Sequence, residues 1–181
     1  MKENLEIAVF GGGCFWCTEA LFKSLKGIHT VTSGYAGGTA ENATYEKVSG
    51  GNTDHAEVIK IEFDPDLISF GDLLAVFFNT HDPTTLNRQG ADSGTQYRSV
   101  IFYASDAQKQ EAEKLIEELT INKAYDNPIV TKIEPLTEFY PAEEYHKDYY
   151  ERNKDAPYCE IVIAPKLEKL EKRFRELLKN A

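Results

Sequence analysis

Cysteine is scarce in this sequence, which has three cysteines among 181 residues. So small and odd a number excludes a secreted disulfide framework and is typical of a reducing compartment. The first residues lead into an apolar stretch that Gly11 ends early, and no small-residue cleavage site follows, so no secretory signal is predicted. We therefore expect a cytoplasmic protein whose cysteine chemistry is catalytic, redox or metal-binding.

Basic residues and long apolar runs are also in short supply. The chain has 20 Lys and Arg against 30 Asp and Glu, a formal net charge of -10. Such a surface repels phosphate backbones and anionic lipid, so we expect no nucleic-acid partner. The longest apolar run, 73–78, is far shorter than the roughly 18 to 20 residues that span a bilayer, so we expect no membrane helix.

The overall composition is that of a globular domain. Hydrophobic residues make up 41%, charged residues 28% and aromatic residues 12%, close to the average for soluble proteins. The chain contains no internal repeat, no low-complexity tract and no composition typical of an interdomain linker. We therefore predict that residues 1–181 form a single catalytic domain.

Hydrophobic periodicity predicts the element order βαββαβ for the first two thirds of the chain. The predicted strands are 5–10, 30–35, 55–63 and 98–103, and the predicted helices are 14–26, one capped by Ser69 and one capped by Ser105. This order is typical of a ferredoxin-like split βαβ core, so we predict an α+β fold, a two-layer sandwich. A C-terminal extension is expected to wrap this core, with strands 129–134 and 160–164, a Pro141-led helical turn and a terminal helix.

The sharpest chemical motif is GGGCFWC at 11–17, between a predicted strand and a predicted helix. A cysteine at a helix N-terminus lies beside unpaired N–H groups and the positive end of the dipole, which favour the thiolate, so Cys14 is a candidate nucleophile. With Cys17 it forms a Cys-x-x-Cys pair, which can be a redox pair or half of a zinc site. The remaining Cys159 and four scattered histidines offer no second closely spaced pair, so we expect a redox role and no metal.

Glu57 is a candidate proton donor. The period of two in the strand 55–63 places it on the same face as Ile59 and Ile61. A carboxyl group on a buried face has a raised pKa, which suits general-acid chemistry near neutral pH. The alternative, a carboxylate turned to solvent or paired with an arginine, stays open on periodicity alone.

Three further polar residues lie in segments that can border a cleft. Tyr45 and Tyr97 each occur in a polar, glycine-bearing segment, where a phenol can direct its O–H inward. Asp92 belongs to the long polar stretch 81–96, and loops of that length are usually functional or disordered. The acidic, tyrosine-rich run 143–151 is interpreted instead as a solvated helix face.

Six short motifs occur in one order along the chain. They are GCFW at 13–16, TY at 44–45 before VSG at 48–50, HAEV at 55–58, HDPT at 81–84, GTQYRS at 94–99 and YPAE at 140–143. This set resembles the peptide methionine sulfoxide reductases of type A over nearly the whole chain. The resemblance implies thiol-dependent reduction of the S-epimer of methionine sulfoxide, free or in proteins, with no cofactor.

The resemblance also implies roles for single residues. Cys14 would attack the sulfoxide sulfur and Glu57 would protonate its oxygen. Tyr45 and Tyr97 would hold that oxygen, and Asp92 would support the polar side of the pocket. This fits elementary chemistry, because a sulfoxide oxygen leaves only after protonation and the reaction needs a thiolate and an acid together.

Substrate binding and turnover involve four more residues. Phe15 and Trp16 would form the apolar wall that receives the methionine methyl group. A second thiol would convert the Cys14 sulfenic acid to a disulfide. Cys159 matches the Tyr-Cys place of family resolving segments and is favoured, whereas Cys17 is within disulfide reach only if its helical turn loosens. A direct cycle with thioredoxin, glutaredoxin or a small thiol stays open.

Two other functions compete with this interpretation. A thioredoxin-like thiol-disulfide oxidoreductase would use Cys14 and Cys17 and would need neither Glu57 nor Tyr45. A binding module would hold methionine-containing peptides in the aromatic pocket without turnover, or would be an interaction domain stabilised by zinc.

Overall fold

The computed structural model describes residues 4–180, which form a mixed α/β fold. The strands, in chain order, are β1 (Glu6–Gly12), β2 (Ile28–Ala36), β3 (Ala56–Phe63), β4 (Arg88–Gln89), β5 (Asp92–Ser93), β6 (Ser99–Tyr103), β7 (Lys132–Pro135) and β8 (Phe139–Pro141). The α-helices are α1 (Phe15–Lys23), α2 (Tyr45–Ser49), α3 (Phe70–Thr80), α4 (Asp106–Ile121), α5 (Tyr149–Arg152) and α6 (Ala164–Arg173).

Six of the strands form one sheet in the order β7-β6-β1-β3-β2-β8. All neighbours are antiparallel except β6 and β7, which run parallel. Because β1 is antiparallel to both of its neighbours, the end of β1 lies beside the starts of β3 and β6. Cys14 follows β1, Glu57 begins β3 with Ala56, and Tyr97 precedes β6, so all three lie at this end of the sheet.

The sheet buries apolar residues on both faces. Along β1, Ala8 and Phe10 face a core that is shared with α1, α3, α4 and α6, whereas Val9 faces the opposite side. The smaller cluster on that second side is covered by Leu136 and Phe139. Packing on both faces therefore holds the sheet in place around the end that bears Cys14 and Glu57.

Local capping chemistry begins two of the helices as predicted. The Ser69 side chain accepts a hydrogen bond from Asp72 N, and Asp72 accepts one from Ser69 N in return, which completes a capping box. Ser105 caps α4 by accepting from Gln108 N. Helix α1 ends three residues earlier than predicted, because Leu25 already pairs with Leu178 in an isolated bridge.

The C-terminal extension differs from two predictions. The prediction of a strand at 160–164 is wrong, because Cys159–Ile163 forms a π-helical turn that continues into α6. The Pro141-led helical turn is also wrong: Phe139–Pro141 is a strand paired with β2, and a 3-10 turn, Glu144–His146, follows before α5. The strand predicted at 129–134 corresponds to β7, which begins three residues later and ends one residue later than predicted.

The two edges of the sheet are short strands that end in proline. At one edge β7 has four residues and ends at Pro135, and at the other β8 has three residues and ends at Pro141. Proline lacks the N–H that a further strand would need as a donor. No helix within residues 4–180 has the length and apolar character of a membrane span.

His81 is a buried neutral histidine at the end of α3, beside the first residue of β6. Its Nδ1 lies 2.5 Å from Phe77 O and its Nε2 lies 2.8 Å from Ser99 Oγ, which in turn contacts Thr131 Oγ1 at 2.7 Å. Burial lowers the pKa of His81 to about 4. The imidazole therefore links α3 to β6 without a charge.

Acid should destabilise the fold through His81. The unfolded histidine binds a proton below about pH 6.5, whereas the folded one does not until its lowered pKa of about 4, so protonation favours unfolding between these values. This group alone should lower the free energy of unfolding by about 3 kcal/mol between pH 7 and pH 4. Urea denaturation of wild type and His81→Gln across that interval measures the difference, and parallel pH curves for the two proteins would contradict it.

Candidate active site

The loop between β1 and α1 brings Cys14 to the start of the helix. Gly13 turns the chain with a φ of +99°, in the left-handed region that favours glycine. A Cβ at this position would lie 2.7 Å from Gln89 Cγ, so the loop has no room for a side chain there. Cys14 follows at the N-cap position of α1 and is 8% exposed.

Glu57 is the second residue of β3 and its side chain is only 4% exposed. Its Oε2 has no hydrogen-bond partner among the residues that the structure describes. Burial, followed by the charge of Asp92, raises the pKa of Glu57 well above its ordinary value. The predicted burial is confirmed, and the pKa of Glu57 is shifted in the predicted direction, which favours its protonated form.

Burial raises the pKa of Cys14 as well. The hydrogen bond with Cys17 and the charge of Glu57 act in the same direction, and only the N–H of Trp16 opposes them. The prediction that the helix N-terminus lowers the pKa of Cys14 is therefore wrong, because its pKa lies above the ordinary value. Removing the sulfur from water outweighs the favourable backbone groups.

The other two cysteines lie in the same buried cluster. The hydrogen bond from Cys14, with the charge of Lys166 and the phenol of Tyr158, lowers the pKa of Cys17 to about 7 against the effect of burial. Cys17 Sγ lies 3.6 Å from Tyr158 Oη. Cys159 has no exposed surface, and burial raises its pKa. All three are free thiols, and residues 4–180 contain no cluster of His, Cys, Asp and Glu able to hold a metal ion.

Two phenols and a second carboxylate surround the pair of Cys14 and Glu57. Tyr45 begins α2, and Tyr97 ends the 3-10 turn Thr95–Tyr97. Burial and then the charge of Glu57 raise the pKa of both phenols, with a further contribution from Cys14. Asp92 acts on Glu57 and Tyr97 by its charge. The structure thus brings together the five residues predicted for catalysis.

Trp16 forms an aromatic wall beside the thiols. Its indole stacks on Tyr149, with ring centroids 3.7 Å apart and planes 6° from parallel. Its Nε1 donates to His146 Nδ1 at 3.0 Å, and Tyr158 meets its edge at 5.9 Å. Phe15, predicted for the same wall, has no exposed surface and packs beneath it against His146.

A buried carboxylate fixes the segment that supports Trp16. Glu19 accepts from Ser33 Oγ and from Asp148 N, both at 2.7 Å, and thereby joins α1 to β2 and to the start of α5. Asp148 has a φ of +54°, and its carboxylate pairs with Lys23. These contacts hold Tyr149, the next residue, against the indole.

The interpretation of 143–151 as a solvated helix face is wrong. His146 is buried under Trp16, and Glu143 accepts from Tyr35 Oη and from Tyr45 N, both at 3.0 Å. Sequence reasoning also missed Tyr158, whose Oη donates to Asp92 Oδ2 at 2.8 Å. Its position directly before Cys159 was the only local signal for it.

Comparison with known proteins gives one consistent family. A family model described as "Peptide methionine sulfoxide reductase" matches residues 6–178. The chain is similar to "Peptide methionine sulfoxide reductase MsrA" of Acinetobacter baumannii (strain AYE), with 54% identity over 176 residues, 97% of this chain and 100% of the relative.

Solved structures agree with the sequence comparison. The fold is similar to that of Mxr1 from Saccharomyces cerevisiae in its reduced form, with a TM-score of 0.81, 38% identity and coverage of 88% of this chain and 91% of that one. Mxr1 in complex with Trx2 also matches, with a TM-score of 0.58, 30% identity and coverage of 82% and 87%. The family model spans nearly the whole chain, and the Acinetobacter baumannii relative is 54% identical to it. This chain therefore belongs to the peptide methionine sulfoxide reductase family.

Proposed function

We propose that this chain reduces the S-epimer of methionine sulfoxide, free or in proteins, to methionine at the expense of thiols. The observation that carries the proposal is that the Cys14 thiol and the Glu57 carboxyl group are both buried and that the charge of Glu57 acts on Cys14. A nucleophile beside a protonated acid suits a substrate whose oxygen leaves only after protonation. Family membership supports the same substrate, with residues 1–181 acting as one catalytic domain.

The first step moves oxygen from substrate to enzyme. Glu57 gives its proton to the sulfoxide oxygen while the Cys14 sulfur attacks the sulfoxide sulfur, and the Cys14 proton returns to the Glu57 carboxylate. The hydroxyl group then passes to the Cys14 sulfur as the substrate sulfur–oxygen bond and the transient bond between the two sulfurs both break, so methionine leaves and Cys14 becomes a sulfenic acid. The substrate gains two electrons and Cys14 loses two, so no other reductant enters this step.

The phenols of Tyr45 and Tyr97 hold the sulfoxide oxygen by donating hydrogen bonds to it. Their raised pKa values keep them protonated, as a donor requires. A donor that lies where negative charge develops stabilises the transition state more than the ground state. Asp92 supports this polar side through its hydrogen bond from Tyr158.

The apolar side of the pocket receives the methyl group of methionine. Trp16 presents the surface, and Phe15 supports it from beneath. With one apolar wall and one oxygen site fixed around the sulfur, only one epimer can place its methyl group on the wall and its oxygen at the phenols while its sulfur faces Cys14. Selectivity for the S-epimer follows from this chiral arrangement.

A second thiol then condenses with the sulfenic acid, which releases water and forms a disulfide. Two observations support Cys17 over Cys159 in this role. The pKa of Cys17 is about 7, so much of it is thiolate at neutral pH. The first turn of α1 is already loosened toward 3-10 geometry, because Cys14 O accepts from Cys17 N at 3.1 Å and from Thr18 N only at 3.5 Å.

Mass spectrometry after one turnover distinguishes the two thiols. With a stoichiometric amount of substrate and no reductant, Cys159→Ser should lose about 2 Da as its disulfide forms. Cys17→Ser should instead gain about 16 Da and stop at the sulfenic acid. The opposite pattern would assign resolution to Cys159.

Thiol-disulfide exchange with thioredoxin, glutaredoxin or another thiol regenerates the enzyme, without a cofactor. The complex of the yeast relative Mxr1 with Trx2 supports a thioredoxin as the reductant. The small number of cysteines, three in 181 residues, supports a reducing, cytoplasmic setting.

We further propose that the core is the ferredoxin-like split βαβ arrangement of a two-layer sandwich. The element order β1-α1-β2-β3-α3-β6 and the sheet order β6-β1-β3-β2, antiparallel throughout, support it. The C-terminal extension adds one edge strand on each side and carries Tyr158 to the site.

The test is consumption of each epimer of N-acetylmethionine sulfoxide, supplied separately, with dithiothreitol as reductant. Loss of the S-epimer alone is the expected result. The near-neutral pKa of Cys17 also suits the competing thioredoxin-like oxidoreductase, which would reduce protein disulfides and leave both epimers intact. Consumption of neither epimer would overturn the proposal.

A further inference from the structure

Helix α2, which carries Tyr45, has only five residues and is held at both ends by side chains from other elements. At its start, Tyr45 N donates to Glu143 Oε2 at 3.0 Å. At its end, Gln96 Nε2 donates to Ser49 O at 3.2 Å. A helix this short has little stability of its own, so these contacts decide where Tyr45 lies.

Gln96 joins the two phenol-bearing elements directly. It precedes Tyr97 in the 3-10 turn Thr95–Tyr97, and its amide reaches across to the last residue of α2. Its side chain is 4% exposed and lies against Gly51 and Gly94. A side chain at Gly94, where φ is +144°, would collide with Gln96 Oε1, so the glycine leaves the space that the amide occupies.

The amide is poorly suited to a purely structural role. Gln96 Oε1 is buried and has no hydrogen-bond partner within residues 4–180. An unpaired buried acceptor destabilises the fold, and an apolar side chain of the same shape would avoid that loss. What the amide supplies instead is one directed hydrogen bond between the two phenol-bearing segments.

We infer that Gln96 is a positioning residue that sets the separation of the Tyr45 and Tyr97 phenols around the sulfoxide oxygen. The inference rests on the proposed function, which assigns the oxygen to these two donors. Displacing α2 from the Thr95–Tyr97 turn would misplace one donor relative to the other. Errors of about 1 Å in such an arrangement lower rates by up to about 100-fold.

The test begins with Gln96→Met, which keeps the length of the side chain and removes its donor. We expect kcat/KM for the S-epimer to fall about tenfold, mostly in kcat, while the melting temperature stays near that of wild type. Gln108→Met is the matched control. Gln108 is an equally buried glutamine, and its amide joins Ile7 O and Ala104 N away from the site, so its loss should lower stability and leave kcat/KM unchanged.

A double-mutant cycle with Tyr45→Phe/Tyr97→Phe shows whether Gln96 acts through the phenols. In that background Gln96→Met should lower kcat/KM by less than about twofold, because the groups it positions are gone. A full tenfold loss in both backgrounds would overturn the inference, and so would wild-type kinetics of Gln96→Met. If the Tyr45→Phe/Tyr97→Phe protein itself keeps wild-type rates, the proposed role of the phenols fails, which is a separate result.

A pH series with Gln96→Glu gives an independent reading. A protonated glutamic acid can donate to Ser49 O, whereas the carboxylate cannot. The activity of this variant relative to wild type should therefore rise as the pH falls. A ratio that is constant with pH in the folded variant would contradict the positioning role.

Discussion

Cys14→Ser is expected to abolish methionine formation, with a loss of at least about 10³-fold in the first step. Serine occupies nearly the same volume at the N-cap of α1, so the fold should persist. Its hydroxyl oxygen is a much weaker nucleophile than the sulfur of cysteine and cannot form a sulfenic acid. The measurement is the yield of methionine from N-acetylmethionine (S)-sulfoxide in a single turnover.

Cys159→Ser is the matched control for this experiment. Its thiol is buried in the same cluster, but the first step does not use it. Its single-turnover yield should equal that of wild type. Methionine formation by a folded Cys14→Ser protein would refute the covalent mechanism.

Glu57→Gln should lower the rate of the first step by about 100-fold or more. Glutamine keeps the shape and burial of the side chain, but its amide cannot transfer a proton to the sulfoxide oxygen. Stopped-flow measurement under single-turnover conditions isolates this step from later disulfide exchange. A wild-type rate would leave Glu57 with a structural role only.

The pH dependence of wild type gives the same assignment a second test. Because burial raises the pKa of Glu57, its acid form persists to a higher pH than that of free glutamic acid. The rate of the first step should fall as the pH rises through that pKa, since the carboxylate has no proton to give. Glu57→Gln should lack this descending limb, and a variant that keeps it would show that another group titrates.

Elements governed by local chemistry were predictable, and those governed by distant pairing were not. Ser69 and Ser105 cap their helices through contacts three residues away, which the sequence displays. Ile161 and Val162 favour a strand by propensity, yet their segment forms a π-helical turn whose ends, Cys159 and Ile163, pack in the thiol cluster. Pro141 is typical of a helix start but pairs with Gly34, more than 100 positions earlier in the chain.

The site shows the same division. Cys14 and Glu57 could be found because a glycine loop before a helix and a period of two are local patterns. His146 and Tyr149 could not, because their contacts with Trp16 join segments about 130 positions apart. The ionisation of Cys14 was predicted in the wrong direction for a related reason. The helix N-terminus can be read from the sequence, whereas desolvation by the folded chain cannot.

The short edge strands of the sheet, each of which ends in proline, affect how this protein interacts with oxidised proteins. Oxidation makes methionine polar and disrupts apolar cores, and a disrupted core frees strands to pair with other chains. A long free edge would invite those strands to add to the sheet and begin co-aggregation. Because β7 and β8 end at Pro135 and Pro141, they offer little backbone for such pairing. The sheet is therefore a poor template for the aggregation of such a chain.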